Sequence, residues 1–473
     1  MYRFSKEQVM DPEFLTKLIT HFKNTQVPRF RKLERYYRVQ NEILMRTMDA
    51  GKPNNRLAHG FAKYISNMAT SYFMGKPVRY VTDGDEEFKD ALNSVLKNSY
   101  INSLNFELAK EASKKGISAE LIYVDEQADI RSKKLSADEF IPVYGVTVDE
   151  FLECVVRIWS DCDMDGKLLC EHAAVYTDRD TVYYQRTNEA ALFGMVDAEG
   201  HGLDDLPVIL YWNNEECTGD YEDVIPLIDA YDKAQSDTGN DMEYFTDAYL
   251  CIAGASGGLE EMAGVEGNGA DGEEQKSTVR SLRENRILFL DEKGQAEWLT
   301  KNINDTAVEN YKNRLYGNIF FLSQVPALSD DSFAGNLTGI AIKYKLIGLE
   351  ELAIMKENRF EAAQQKKTRI ITGFLNRKMN KNFDPDMVSR KYERNFIENV
   401  ADMIENARNL EGIVSHETQM NQLPRSVVED AVDEMKKMLE EQRQEQGIPR
   451  VDLTELMEQD NGQQTVLEPQ IPV

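Results

Sequence analysis

Between Asp220 and Ile252, apolar residues recur at Val224, Leu227, Ile228, Tyr231, Ala234, Thr238, Met242, Phe245, Tyr249 and Ile252. These are the steps of three and four of one helical face. The spacing predicts a long helix, capped by Asp220 or Asp223, with Pro226 in the first turn where a missing N–H costs little. The other positions carry Asp223, Asp229, Asp232, Asp237, Asp241, Glu243 and Asp247, opposed only by Lys233, so the far side reads as an acidic rail. A second amphipathic run, Val308, Tyr311, Leu315, Ile319 and Leu322, starts near Asp305 and stops at Pro326. It predicts a helix able to return beside the first.

Upstream, the pattern predicts helices within 11–50 (Phe14, Leu18 and Phe22 on one face), from about Arg56 to Phe73, and over 86–97 and 101–115. The period then changes. Residues 117–124, 141–144, 151–160, 168–176, 181–186 and 207–213 read as strands, and helices followed by a block of strands predict an α+β fold. Glycines crowd Ala253 to Gly272, a composition that buries little and predicts mobility. Strands at 286–290 and 296–300 are expected to form a hairpin across Asp291-Glu292-Lys293-Gly294. After the turn-rich PALSDDSFAGN, a helix of roughly forty residues runs to about Lys378. Lys366, Lys367, Arg369, Arg377, Lys378 and Lys381 crowd its end, where cations suit the helix dipole. Two or three shorter helices are expected over 399–441, and the last stretch, rich in Gln, Glu and Pro, reads as disordered.

With 55 Lys and Arg against 82 Asp and Glu, the net charge of −27 argues against a basic nucleic-acid clamp. The arginines of the aromatic-rich segment Arg29, Arg31, Lys32, Arg35 and Arg38 are therefore expected to pair with acids of the chain or a neighbour. Five cysteines, an odd number, and a start that leads into no apolar run point to a reducing compartment. No run reaches the ~18 apolar residues of a membrane span. Asp161, Asp163 and Asp165, followed by Gly166, imitate half of a calcium loop. The twelfth position is His172, and a turn between strands fits better. Cys154, Cys162 and Cys170 lack paired zinc spacing, and no phosphate-binding glycine loop is present. Ser415 in Ser415-His416-Glu417 reads as a helix cap rather than a nucleophile. Asp83, Asp85, Glu86 and Glu87 read as a loop and helix start. Neither an enzyme nor a cofactor is required.

The order of parts, an α+β region, an acidic helix, a glycine-rich β insertion, a returning helix, a turn-rich loop and a very long helix, resembles the portal proteins of tailed bacteriophages, of the siphophage type from Gram-positive hosts. The marks are Lys52-Pro53-Asn54-Asn55-Arg56 with Ala62-Lys63-Tyr64 and Gly75-Lys76-Pro77-Val78; Tyr123-Val124-Asp125-Glu126; Asn213-Asn214-Glu215; Leu227-Ile228-Asp229-Ala230-Tyr231 with Ser236-Asp237; and Gly339 through Leu346. The resemblance implies a wing over 1–221, stem helices over 222–250 and 304–324, and a clip with its glycine-rich insertion over 251–303. It further implies a tunnel loop over 325–338, a long wing helix over 339–378, a crown over 379–442 and a tail over 443–473.

It also implies a ring, typically of twelve copies, at one capsid vertex of the virion, through which double-stranded DNA is packaged and ejected. Its partners would be the terminase large subunit, a head-completion adaptor, and the major capsid and scaffolding proteins, with assembly in the host cytoplasm and no membrane. Channel-lining residues would be Ser329, Asp330, Asp331, Ser332, Asn336 and Thr338 in the loop, and Asp229, Asp232, Asp237, Asp241 and Glu243 in the stem. Arg394-Asn395-Phe396-Ile397 lacks a proline expected soon after Arg-Asn in that family. The alternative is a metal-dependent enzyme on nucleic acid using Asp161, Asp163 and Asp165.

Overall fold

The computed structural model describes residues 2–49, 52–82, 86–147, 151–246, 249–253, 287–290, 295–299, 305–328, 339–395, 400–423, 427–428 and 431–445. Two compact units result, the first ending at Asn395 and the second beginning at Phe396.

In the first unit, β1 (Tyr2–Arg3) leads through a Ser5 capping box into α1 (Lys6–Met10), and α2 (Pro12–Tyr37) follows. Asp11 caps α2 by accepting from the Phe14 N–H at 2.9 Å, one of the donors a first turn leaves open. A 3-10 turn (Glu42–Met45) and an irregular arm connect it to α3 (Phe61–Met74), which begins later than the pattern predicts. Then come β2 (Arg79–Thr82), α4 (Glu86–Asn98) and α5 (Ile101–Lys115). α5 ends at Gly116, with φ +85°, where a Cβ would fall 2.1 Å from the Cys217 carbonyl oxygen. Only glycine suits both the angle and the contact.

The strand block comprises β3 (Ile117–Val124), β4 (Ile130–Leu135), β5 (Phe140–Tyr144), β6 (Leu152–Cys162), β7 (Leu168–Tyr176), β8 (Asp180–Arg186), β9 (Gly194–Gly200) and β10 (Val208–Trp212). Six strands form one sheet in the order β1-β5-β6-β7-β8-β9, and β10-β3-β4 form another. Leu15, Leu18, Ile19 and Phe22 of α2 share a core with Phe140, Val155, Ala173 and Val175 of the larger sheet. A second core joins Phe73, Phe88 and Leu108 with Tyr211, Phe360 and Ile371.

The long acidic helix is α6 (Ile225–Thr246). Tyr249 and Ile252, which keep its spacing, instead lie in β11 (Tyr249–Ala253). β12 (Ile287–Leu290) and β13 (Gln295–Leu299) do not pair as the predicted hairpin: β11 lies between them, parallel to β12 and antiparallel to β13. α7 (Asp305–Leu322) returns and packs on α6. The predicted single long helix is broken at Leu346 into α8 (Gly339–Lys345) and α9 (Ile347–Met379). Beyond Met379 the chain stays with the first unit, because β14 (Val388–Lys391) pairs antiparallel with β2 and Asn395 N–H donates to the Tyr72 carbonyl at 3.0 Å.

The second unit holds α10 (Val400–Asn409), α11 (His416–Met420) and α12 (Ala431–Glu445). Ser415 caps α11 through the Thr418 N–H at 3.2 Å, as its sequence predicts.

Candidate functional site

The acidic side of α6 is largely a docking track for the chain's own arm. Asn55 N–H donates to Asn240 Oδ1 at 2.7 Å, Leu57 N–H to Ser236 Oγ at 2.9 Å, and His59 N–H to Asp232 Oδ1 at 3.0 Å. Alternate arm residues thus meet every fourth residue of the helix, in antiparallel sense. The two spacings match because two residues of extended chain span about 6.6 Å and four residues of helix about 6.0 Å. The arm's N–H groups are satisfied sideways, and this is why residues 56–60 do not join α3 as a helix.

Asp232 is 0% exposed, and besides His59 N–H it holds the Asn41 amide at 2.5 Å and faces His59 Nδ1 at 2.7 Å. A carboxylate sealed inside its own chain does not line a channel, so the structure removes Asp232 from the predicted lining. Asp229 accepts from the Tyr36 hydroxyl at 2.5 Å; burial raises its pKa, partly offset by that hydrogen bond. Asp237 accepts from Arg46 at 2.6 Å, and Glu243 from the Asn55 amide at 2.9 Å. Asp237 and Asp241 are part exposed and Glu243 is exposed.

Against α7, α6 presents an aromatic seam. Tyr231 meets Phe61 edge-on at 5.1 Å and Tyr316 at 6.5 Å, and Phe320 meets Tyr316 at 4.8 Å and Tyr64 at 5.5 Å. Edge-to-face pairs of this kind favour a fixed helix pairing beyond the area they bury. A cavity of about 370 Å³ opens beside the seam, bordered by Ala327 and Leu328, the last described residues at the start of the predicted tunnel loop. Ser329, Asp330, Asp331, Ser332, Asn336 and Thr338 lie outside the described residues.

Buried ion pairs that the sequence reading missed tie α9 to the segment just before α6 and to β3. Lys356 of α9 donates to Asp220 at 2.7 Å, just before α6, and Asp220 also accepts from Ser113 at 2.5 Å and Asn213 at 2.8 Å. Burial lowers the Lys356 pKa, opposed by Asp220. Lys367, grouped by sequence with the basic helix end, instead lies 2% exposed at its side chain, 2.5 Å from Glu120, which also accepts from Tyr211 at 2.6 Å. The available signal was spacing: Lys356 and Lys367 lie eleven residues apart, on one helical face with Phe360, Ala363 and Ile371, where a solvated lysine is out of place.

Arg29, Arg35 and Arg38 of the basic segment pair with acids as expected, while Lys32 lies over the Tyr36 ring. Arg29 makes a two-pronged pair with Glu222 at 2.6 Å, Arg38 meets Glu34 at 2.9 Å, and Arg35 meets Glu42 at 3.4 Å. The calcium-like loop is a turn between β6 and β7. Asp163 Oδ1 accepts from Asp165 N–H at 3.0 Å and Lys167 N–H at 2.8 Å, while Asp161 pairs with His172 at 2.9 Å. Asp161, Asp163 and Asp165 therefore do not converge, and among the described residues no group of three or more His, Cys, Asp or Glu is placed to hold a metal.

Residues 16–447 match the family described as phage portal protein, SPP1 Gp6-like. The chain belongs to that portal family. It is 24% identical over 436 residues to the portal protein of Bacillus phage SPP1, covering 87% of this chain and 83% of the relative. It is 21% identical over 439 residues to the portal protein of Clostridium phage phiCD119, covering 86% and 91%. A solved chain from the neck of an empty GTA particle aligns over 77% of this chain and 90% of its own length, at 13% identity and a TM-score of 0.40. A portal is a structural part of the phage capsid vertex and the conduit for DNA packaging, and the family implies a homo-oligomeric ring. Among the described residues no helix is long and apolar enough to cross a membrane.

Proposed function

We propose that twelve copies of this chain close into the vertex ring, with α6 and α7 as the stem around the channel and the 325–338 segment as the loop nearest to DNA. In this reading residues 1–221 are the wing and 251–303 the clip, and of the stretch 379–442 expected to be the crown the part from Phe396 onward takes that role, since residues up to Asn395 stay with the first unit. The clip meets the terminase large subunit during packaging and the head-completion adaptor afterwards. The major capsid and scaffolding proteins hold the outside, and assembly takes place in the host cytoplasm before ejection is ever needed.

The observation that carries this reading is the family match over 16–447 together with the α6/α7 pair flanking a small separate sheet. Asp237, Asp241 and Glu243 keep enough exposure to act on a passing polyanion. Like charge at the lumen adds no phosphate neutralisation, so duplex DNA slides rather than sticks. The chain supplies no chemistry to the DNA: incubation of the purified protein with duplex DNA and a divalent cation is expected to leave the DNA whole. The deciding measurement is native mass with negative-stain imaging. A closed ring with a duplex-wide channel supports the proposal, and a different closed number of copies would correct its stoichiometry.

A further inference from the structure

We infer that Tyr64 is the positioning residue for the channel loop: its single hydroxyl pins the root from which that loop leaves. α7 ends as Gln324 turns to φ +59°, a left-handed angle unusual for a side-chain-bearing residue. Val325 is then buried at 1% exposure. The next residues meet Tyr64. Its hydroxyl donates to the Pro326 carbonyl at 3.0 Å and accepts from the Leu328 N–H at 3.1 Å. One atom thereby holds an acceptor and a donor two residues apart, groups that no backbone partner in α7 satisfies.

The hydroxyl is itself held. Tyr64 sits in the first turn of α3, its own N–H bonded to the Gly60 carbonyl at 3.0 Å, and its ring stands edge-on to Phe320 at 5.5 Å. The turn after α7 is also closely covered: Gly348, in the first turn of α9, leaves only 3.1 Å between a would-be Cβ and the Gln324 carbonyl. On the side from which the loop departs, the tie is one removable oxygen. The loop's role at DNA is the reading proposed above, and this inference rests on it.

The test is Tyr64→Phe in the full chain, which keeps the ring against Phe320 and removes both hydrogen bonds. Hydrogen exchange, read on overlapping peptides that isolate the Leu328 amide, is expected to accelerate about tenfold there, with α3 and α7 unchanged. Rings still form, and phage carrying the variant package less DNA. Unchanged exchange at Leu328, or acceleration spread equally over α3 and α7, would overturn the inference. So would local acceleration with normal packaging. In that last case Asp330→Lys with Asp331→Lys separates the two ideas: a packaging defect in that variant keeps the channel reading and rejects only Tyr64, whereas normal packaging rejects both.

Discussion

Lys356 shows how a single side chain can tie distant parts of this chain together. It comes from the long helix α9 and ends, buried, on Asp220 and Asn213, where β10 has finished and α6 is about to begin. Lys356→Met leaves Asp220 buried without its cation, and is expected to destabilise the first unit by about 3–5 kcal/mol in urea unfolding. Replacing both members, Lys356→Met with Asp220→Asn, recovers most of that loss. Glu111 offers a pH test. Burial pushes its pKa up, but Lys115 and Lys114 more than reverse this and bring it from 4.5 to about 2. A depressed carboxylate contributes stability that is full above the unfolded value and lost as pH falls through the folded one. The stability difference between the native chain and Glu111→Gln, on the order of 3 kcal/mol at neutral pH, should shrink between pH 4.5 and 2 in acid unfolding curves.

Elements with self-contained periodicity were legible in the sequence, and elements defined by a partner were not. α5 and β3 fall where their spacing places them, at Ile101–Lys115 and Ile117–Val124, because each buries a continuous face and Gly116 punctuates between them. β4, Ile-Arg-Ser-Lys-Lys-Leu, buries only its end residues, and β9 is exposed at every position, so neither carries an alternating signal. β11 was absorbed into the helix because Tyr249 and Ile252 happen to continue the three-and-four spacing. The arm was hidden for a different reason: its acceptors, Asp232, Ser236 and Asn240, are contributed by a helix nearly two hundred positions away. Their polar identity resembled a solvated face, yet their exposures are 0%, 0% and 6%. Ser236→Ala with Asn240→Ala should speed exchange of the Asn55 and Leu57 amides about tenfold each, while α2 keeps its protection. No change would mean that the Asp232 rung, with Arg46 and Asn41, suffices to hold the arm.

At the scale of the whole molecule, the family match supplies the ring, and the charge balance supplies a reason for DNA to move through it freely. On the proposed reading of 325–338 as the loop nearest to DNA, Asp330→Lys with Asp331→Lys should leave assembly intact and impair packaging, because a cation there adds phosphate contacts that must be broken at every step. Packaged DNA per head is the measurement, and a normal yield would remove the reason for placing that loop at the duplex. The arm on α6 has one more consequence. Its two rulers are graduated unequally, about 6.6 Å against about 6.0 Å, so each added rung would misalign by roughly a further half ångström. The ladder also has stops. The next rung one way would need an N–H from Pro53, which has none, and the next the other way would need a side-chain acceptor from Ile228, which has none either. Such a vernier has a single setting, and a slip of one graduation would displace α6 by about 6 Å and orphan a buried group at each end. Every copy must therefore carry α6 at the same height, which is what a level ring demands of parts made separately.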